Sequence, residues 1–403
     1  MLKNPREPRF TARDLFGALL AALVAVGLIA PSAYAQEAKD LQWYLESMKA
    51  EEMWKTARGD GVTVAVIDSG VDRTVPELRG QVAGGKSFLG TGSPYRDPGS
   101  HGTTIAALIS GTGKESGIHG LAPESKILAL KTTDEFGIPG DMAAAINHAI
   151  DVGAKIINVS LGASQSGRGA KVQKAIDRAN KEGVLIFASS GNAGDDTANY
   201  PAALPGVVAV AATDKQVQRL SSSQYGQHVS LSAPGGDLAV RCKKNTDICK
   251  NSGTSAASAL ASASAALIWS KYPDWTANQV LRVLIETAGK PVAGKIPSKY
   301  IGYGAVRPRI ALADDSIDPG DPDKNPLFSK YYAKQEEKSD SSEEPDDGKS
   351  GSDISEEDQQ AQGDASEKDS NSFLVPAVAV GAVAVLGAAL AAVFLRRRTR
   401  VSR

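Results

Sequence analysis

Val62-Thr63-Val64-Ala65-Val66-Ile67-Asp68-Ser69-Gly70 is the stretch on which the fold turns. From Val62 to Ile67 it is apolar or β-branched with no polar alternation, so a strand made from it needs cover on both faces, and a Gly follows to turn the chain. Comparable short runs recur at Lys126 to Lys131, Ile156 to Ser160, Val184 to Ala188 and Val207 to Ala211. Helical patterns lie between and after them, near His101 to Ser110, Asp141 to Ile150, Ala170 to Glu182, Ser255 to Lys271 and Thr276 to Ala288. Apolar strands separated by helices predict an α/β fold of three layers, a mainly parallel central sheet flanked by helices. In such folds reactive groups gather at the carboxyl ends of strands. The chain contains neither G-x-G-x-x-G nor G-x-x-x-x-G-K-[ST], so nucleotide chemistry has no support.

Asp68 stands at the carboxyl end of the strand expected at the centre of that sheet. A carboxylate there orients a base, or it simply caps a turn. Of the four histidines, His148 sits inside an apolar helical pattern and reads as a packing residue, while His119 and His228 fall in loop-like stretches with no companion motif. His101 differs, because Ser100-His101-Gly102-Thr103 opens a helical pattern and Gly102 permits close approach of another backbone. Ser255 lies in Ser252-Gly253-Thr254-Ser255-Ala256-Ala257, where a turn enters a long Ala-rich helix. The free N–H groups and positive dipole end of such a helix favour negative charge on an adjacent oxygen, although an ordinary Ser or Thr N-cap has the same appearance. Asn192, in Ser189-Ser190-Gly191-Asn192-Ala193-Gly194, follows another strand and reads either as a turn residue or as a side-chain hydrogen-bond donor.

Together these residues, in the order Asp, His, Asn, Ser, resemble the subtilisin-like serine proteases, the subtilases. Val64 to Asp72 is similar to the family's Asp motif, His101-Gly102-Thr103 to its His motif, Gly191-Asn192 to its oxyanion motif and Gly253-Thr254-Ser255 to its Ser motif. The resemblance spans residues 54–311 and implies a subtilisin-like fold, a catalytic triad of Asp68, His101 and Ser255, and Asn192 as the oxyanion donor. It also implies that Ser160-Leu161-Gly162 pairs with an extended substrate, that Ser189, Ser190 and Gly191 face it across the primary specificity pocket, and that Asn199 lies at the pocket floor, favouring small side chains. No metal or cofactor is expected, since the acidic residues form no spaced calcium or zinc motif.

The branch that the chain most resembles is the mycosins, membrane-anchored subtilases associated with type VII secretion. Gln42-Trp43-Tyr44-Leu45 is similar to their mature start, and Gly302-Tyr303-Gly304 with Arg307-Pro308 to their domain end. The stretch between Gln36 and Asp68 is too short for a folded inhibitory propeptide and is expected to wrap the domain. Two departures from the family concern helix packing: Ala256-Ala257-Ser258 stands where a Pro is usual after the nucleophile, and Ala107 where a Gly is common. The two cysteines, Cys242 and Cys249, are expected to form a disulfide in an exported domain.

The ends of the chain carry the evidence for export. Residues 1–35 begin with Lys3, Arg6, Arg9 and Arg13, continue through an apolar run from Leu15 to Ala30 and finish at Ala33-Tyr34-Ala35, the pattern of a signal peptide. Residues 36–313 read as the peptidase domain. Residues 314–372 carry 19 acidic against 6 basic side chains and are expected to be a disordered linker. Residues 373–395 are uncharged and long enough to cross a bilayer, and the arginine-rich tail 396–403 that follows belongs in the cytoplasm. The expected localisation is therefore the cell membrane, single-pass, with the catalytic domain outside. Nucleic-acid binding is excluded, because charges of both signs are interspersed through the body with no basic stripe. The expected partners are protein or peptide substrates and type VII secretion membrane components. The resemblance leaves three roles open: processing of exported proteins, stabilisation of the secretion complex, and general cell-surface proteolysis.

Overall fold

The computed structural model describes residues 40–90, 92–134, 139–162, 169–245 and 247–340. The strands are β1 (Thr63–Asp68), β2 (Val82–Ser87), β3 (Lys126–Lys131), β4 (Ile156–Val159), β5 (Leu185–Ser189), β6 (Val208–Thr213), β7 (Val229–Pro234), β8 (Leu238–Arg241) and β9 (Ile248–Asn251). The helices are α1 (Trp43–Ser47), α2 (Ala50–Met53), α3 (His101–Ser110), α4 (Met142–Asp151), α5 (Gly169–Lys181), α6 (Thr254–Lys271), α7 (Ala277–Glu286), α8 (Pro308–Ala313) and α9 (Ser329–Asp340).

Strands β1 to β7 form one sheet in the order β2-β3-β1-β4-β5-β6-β7, every neighbouring pair parallel, and β8 and β9 form a separate antiparallel hairpin. The α/β expectation holds, with β1 in the interior of the sheet. Alternate residues of β1 serve opposite layers, as the pleat requires. Val64 and Val66 join the core built with α3, α6 and α7, whereas Ala65 and Ile67 join the core built with α4 and α5. The amphipathic helices α4 and α5 bury one side only, through Ile146 and Ile176 among others. Helix α6 is of a different kind, small-residue and buried nearly all round, so it lies directly against the sheet. The buried Asn158 of β4 is satisfied there, its Oδ1 accepting from Ser258 Oγ at 2.8 Å and Ser262 Oγ at 3.0 Å.

The extension before β1 wraps the domain flank, as expected. Trp43 Nε1 donates to Gly236 O at 3.0 Å, Trp54 Nε1 to Leu121 O at 2.8 Å, and Gln42 Oε1 accepts from His119 N at 2.6 Å.

The folded body does not end at Ala313, and this corrects the expected start of the disordered linker. Ile317 and Leu327 pack on the core, and α9 follows. The segment is held by α7, with Arg282 Nη2 donating to Lys324 O at 2.7 Å and Gln279 Nε2 to Gly320 O at 2.9 Å. Anchors spaced among acidic residues are diluted in an average over composition, which is why charge density alone misplaced the boundary. The signal peptide, the remainder of the linker, the 373–395 span and the tail lie outside the described residues. Among the described residues no helix is long and apolar enough to cross a membrane.

Candidate active site

The site lies where β1, β4 and β5 end and α3 and α6 begin. Asp68, the last residue of β1, is fully buried, and its Oδ1 accepts from the Ser69 backbone N–H at 2.7 Å and from the Ser69 hydroxyl at 3.1 Å. The same oxygen is 2.7 Å from His101 Nδ1. The imidazole remains 43% exposed on its other side, so one ring nitrogen faces a buried carboxylate while the ring stays accessible. Gly102 makes this approach possible, because a Cβ there would lie 2.2 Å from Gly70 O and 3.0 Å from Asp68 Cβ.

Burial alone would lower the pKa of His101. Attraction to Asp68, the hydrogen bond to it and the charge of Asp97 outweigh burial, and the pKa lies above the ordinary imidazole value. Asp97 is itself buried, with Oδ2 accepting from Thr103 N at 2.8 Å and Thr103 Oγ1 at 2.6 Å. The Ser69 hydroxyl lies 2.8 Å from Asp97 Oδ1 and so stands between the two carboxylates. Desolvation, with the repulsion of the Asp68 charge, raises the pKa of Asp97 more than its hydrogen bonds to Thr103 and Ser69 lower it. The buried Lys131, at the end of β3, donates to Ser69 O at 2.6 Å and Arg96 O at 2.7 Å, fixing the turns on either side of this network. Sequence reasoning missed Asp97 and Lys131; the only local hint for Asp97 was its place four residues before His101.

Ser255 occupies the first turn of α6, where backbone N–H groups lack intrahelical partners. Its hydroxyl donates to Ser160 O at 3.2 Å, and Ser160 Oγ donates back to Ser255 O at 3.1 Å. Asn192 lies against the same turn. Its Oδ1 accepts from Thr254 N at 2.9 Å and Thr254 Oγ1 at 3.1 Å, which directs the amide nitrogen away from these donors and leaves it available to another acceptor. Helices α3 and α6 pack together, and because Ile67 of β1 lies opposite Val159 of β4, the His101–Asp68 and Ser255–Ser160 contacts fall side by side at the carboxyl end of the sheet.

The expected substrate residues are grouped as well. Strands β4 and β5 are parallel neighbours with Val159 opposite Ala188, so Ser160 to Gly162 and Ser189 to Asn192 leave the sheet side by side. Ser189 and Ser190 are buried, and the Ser190 hydroxyl donates to Gln224 O at 3.1 Å. Leu161 packs on the core beside α4 and α5. Gly191 has φ +112° and no room for a Cβ, which would sit 1.6 Å from Gln224 Oε1. The Asn199 amide covers Gly162, where a Cβ would lie 2.1 Å from Asn199 Nδ2. Two of the three remaining histidines pack on aromatic rings elsewhere: His119 stacks on Trp54 at 4.3 Å and His148 tilts against Phe88 at 5.8 Å. Cys242 and Cys249 form the expected disulfide. Among the described residues no cluster of His, Cys, Asp and Glu could hold a metal ion.

Known proteins are similar to this chain over its folded body. The thermostable alkaline protease of Halalkalibacterium halodurans is 39% identical over 232 residues, 57% of this chain and 63% of that protein, so the chain spans somewhat less than two thirds of this relative. The crystal structure of MycP1 from Mycobacterium smegmatis is similar with a TM-score of 0.61 and 26% identity, covering 70% of this chain and 86% of that one. The MycP3 protease from the type VII (ESX-3) secretion system gives a TM-score of 0.58 and 29% identity over 67% of this chain and 87% of that one. Residues 59–304 match the subtilase family, and with the Asp68–His101 pair, the Asn192 amide and Ser255 assembled at the carboxyl end of the sheet the chain belongs to that family.

Proposed function

We propose that the protein is a membrane-anchored, extracytoplasmic serine endopeptidase that processes exported proteins at a type VII secretion system. The observation that carries the enzymatic part is the 2.7 Å contact between His101 and the buried Asp68, at the carboxyl end of the sheet where Asn192 meets the Ser255 turn. A serine hydroxyl is a weak nucleophile at neutral pH and needs a base during attack. His101 fills that role once the Ser255 hydroxyl swings from Ser160 O to the imidazole Nε2. Ser255 Oγ bonds to the scissile carbonyl carbon while its proton moves to His101, and Asp68 stabilises the resulting imidazolium and holds the tautomer. The oxyanion is received by the Asn192 amide and the Ser255 backbone N–H at the positive end of α6. Return of the proton to the departing amine breaks the peptide bond and leaves an acyl-enzyme. Water, activated by the same base, then releases the acid product and restores Ser255.

Ser160 to Gly162 and Ser189 to Gly191 are read as the two walls of the primary pocket, and Asn199 over Gly162 as a floor that favours small side chains. The placement outside the cell rests on the Ala33-Tyr34-Ala35 signal, the uncharged 373–395 run and the arginines after it. The secretion role rests on similarity to the MycP1 and MycP3 structures. The test exposes the full chain to a peptide library and maps cleavage by mass spectrometry. Cleavage after small residues that vanishes in Ser255→Ala is the expected result. Cleavage after large aromatic residues would overturn the pocket assignment, and no cleavage by the folded chain would overturn the enzymatic reading. Digestion of intact cells with an added protease should remove the body and spare the arginine-rich tail; a protected body would overturn the topology.

A further inference from the structure

The β8–β9 hairpin contributes no triad residue, yet its closed end rests on the loop that delivers His101. Lys244 N donates to Pro98 O at 3.1 Å, Asn245 N to Ser100 Oγ at 3.0 Å, and Asn245 Nδ2 to Asp97 O at 3.0 Å. Further along, Arg241 N donates to Thr104 Oγ1 at 2.8 Å, on the first turn of α3. The hairpin is held on that side by the buried pair of Arg241 with Glu77. Its other end leads from β9 through Ser252 and Gly253 directly into Ser255. One short element therefore touches the base loop and continues into the nucleophile turn.

The contacts fall where the backbone most needs them. Ser100 immediately precedes His101, is buried, and has φ +66° in the left-handed region. A non-glycine residue stays in that region only where its surroundings over-determine it. Asn245 supplies the constraint from its own left-handed position, φ +58°, and the Cys242–Cys249 disulfide brackets that tip.

We propose that Asn245, presented by the disulfide-closed hairpin, is a positioning residue that holds the Asp97 to Ser100 loop and thereby keeps the His101 imidazole seated on Asp68. The inference rests on the reading of His101 as the base. It also makes the hairpin a mechanical link between base and nucleophile, so loosening one end loosens the other.

The test measures the rate at which a fluorophosphonate modifies Ser255 in the full chain, together with kcat, KM and the pH profile on a peptide substrate. In Asn245→Ala the labelling rate and kcat should fall about tenfold, as expected for a small displacement of a catalytic group, with KM unchanged. The acid limb of the profile should move to lower pH, because an imidazole loosened from Asp68 and Asp97 loses the attraction that raises its pKa. The double variant Cys242→Ser, Cys249→Ser should change in the same direction. A folded Asn245→Ala chain with wild-type labelling rate and acid limb would overturn the inference. If that variant does not fold, dithiothreitol treatment of the native wild-type chain gives the same information: unchanged labelling with two titratable thiols overturns it, and slowed labelling of a still-folded chain supports it. A wild-type chain that is never labelled would instead overturn the reading of His101 and Ser255, and this inference would fall with it.

Discussion

The two corners of the active site are built on different physical principles. At the base corner, Asp68, Asp97 and Lys131 are buried charged groups joined through Ser69, and His101 leans on them from a left-handed turn. At the nucleophile corner, Ser255, Ser160, Thr254 and Asn192 are joined by neutral hydrogen bonds at a helix end, and no charged side chain takes part in those bonds. The difference follows from what each corner must do. The base must be oriented and its cation stabilised before substrate arrives, which calls for fixed charge in a dry setting. The oxyanion donors must stay unoccupied until charge develops, which calls for N–H groups held in place by their neighbours rather than satisfied by an anion.

Substitutions should separate the corners by size and kind of effect. Removing the nucleophile in Ser255→Ala should lower kcat on the order of 10⁶-fold, the scale established for the corresponding serine of subtilisin, with the melting temperature nearly unchanged. Next, Asn192→Ala should lower kcat roughly 10²–10³-fold with folding intact, again the magnitude established for the subtilisin donor. An unchanged kcat would remove Asn192 from the mechanism. Lys131→Met should act on the fold more than on chemistry, destabilising the protein by about 1–3 kcal/mol in denaturant titration, because the carbonyls of Ser69 and Arg96 lose a buried donor. If stability stayed the same while kcat fell, the base corner would not be the structural unit described.

The smallest effect should come from charge alone. Asp97→Asn removes one of the attractions that raise the His101 pKa, so the acid limb of the kcat/KM profile should move to lower pH. The same pairing carries a stability signature. With a raised folded-state pKa, protonated His101 stabilises the fold fully below the ordinary imidazole pKa, and this contribution disappears as pH rises through the raised value. An acid limb that does not move in Asp97→Asn would leave Asp68 as the sole electrostatic partner.

The corners also differed in how legible they were. Asp68, His101, Asn192 and Ser255 could be read from short motifs because each needs a particular neighbour: Gly102 for close approach, Gly191 for its left-handed turn, a helix start for Ser255. Asp97, Lys131 and Asn245 act through contacts that span loops, and apart from the place of Asp97 four residues before His101 nothing in their immediate sequence marks them. Lys131 closes an apolar strand run in which a lysine looks like an exposed end, yet it is buried. Strand recognition failed at the sheet edges for a related reason. β2 carries two glycines and is only partly covered, and β7 alternates Ser with apolar residues although every position is buried. The interior strands β1, β3, β4, β5 and β6, apolar on both faces, were read to within a few residues. The hairpin is not legible because its strands are only four residues each and β9 is mostly exposed and polar, leaving its two cysteines as the one local mark.

The central claim is that His101, held by Asp68, activates Ser255. Mass spectrometry of the full chain after brief exposure to a fluorophosphonate tests it directly, comparing wild type with His101→Ala at equal folded concentration. The account predicts one phosphonyl adduct, on the peptide containing Ser255, and its loss in the variant. A folded wild-type chain without adduct, or an adduct formed equally well without His101, would contradict it.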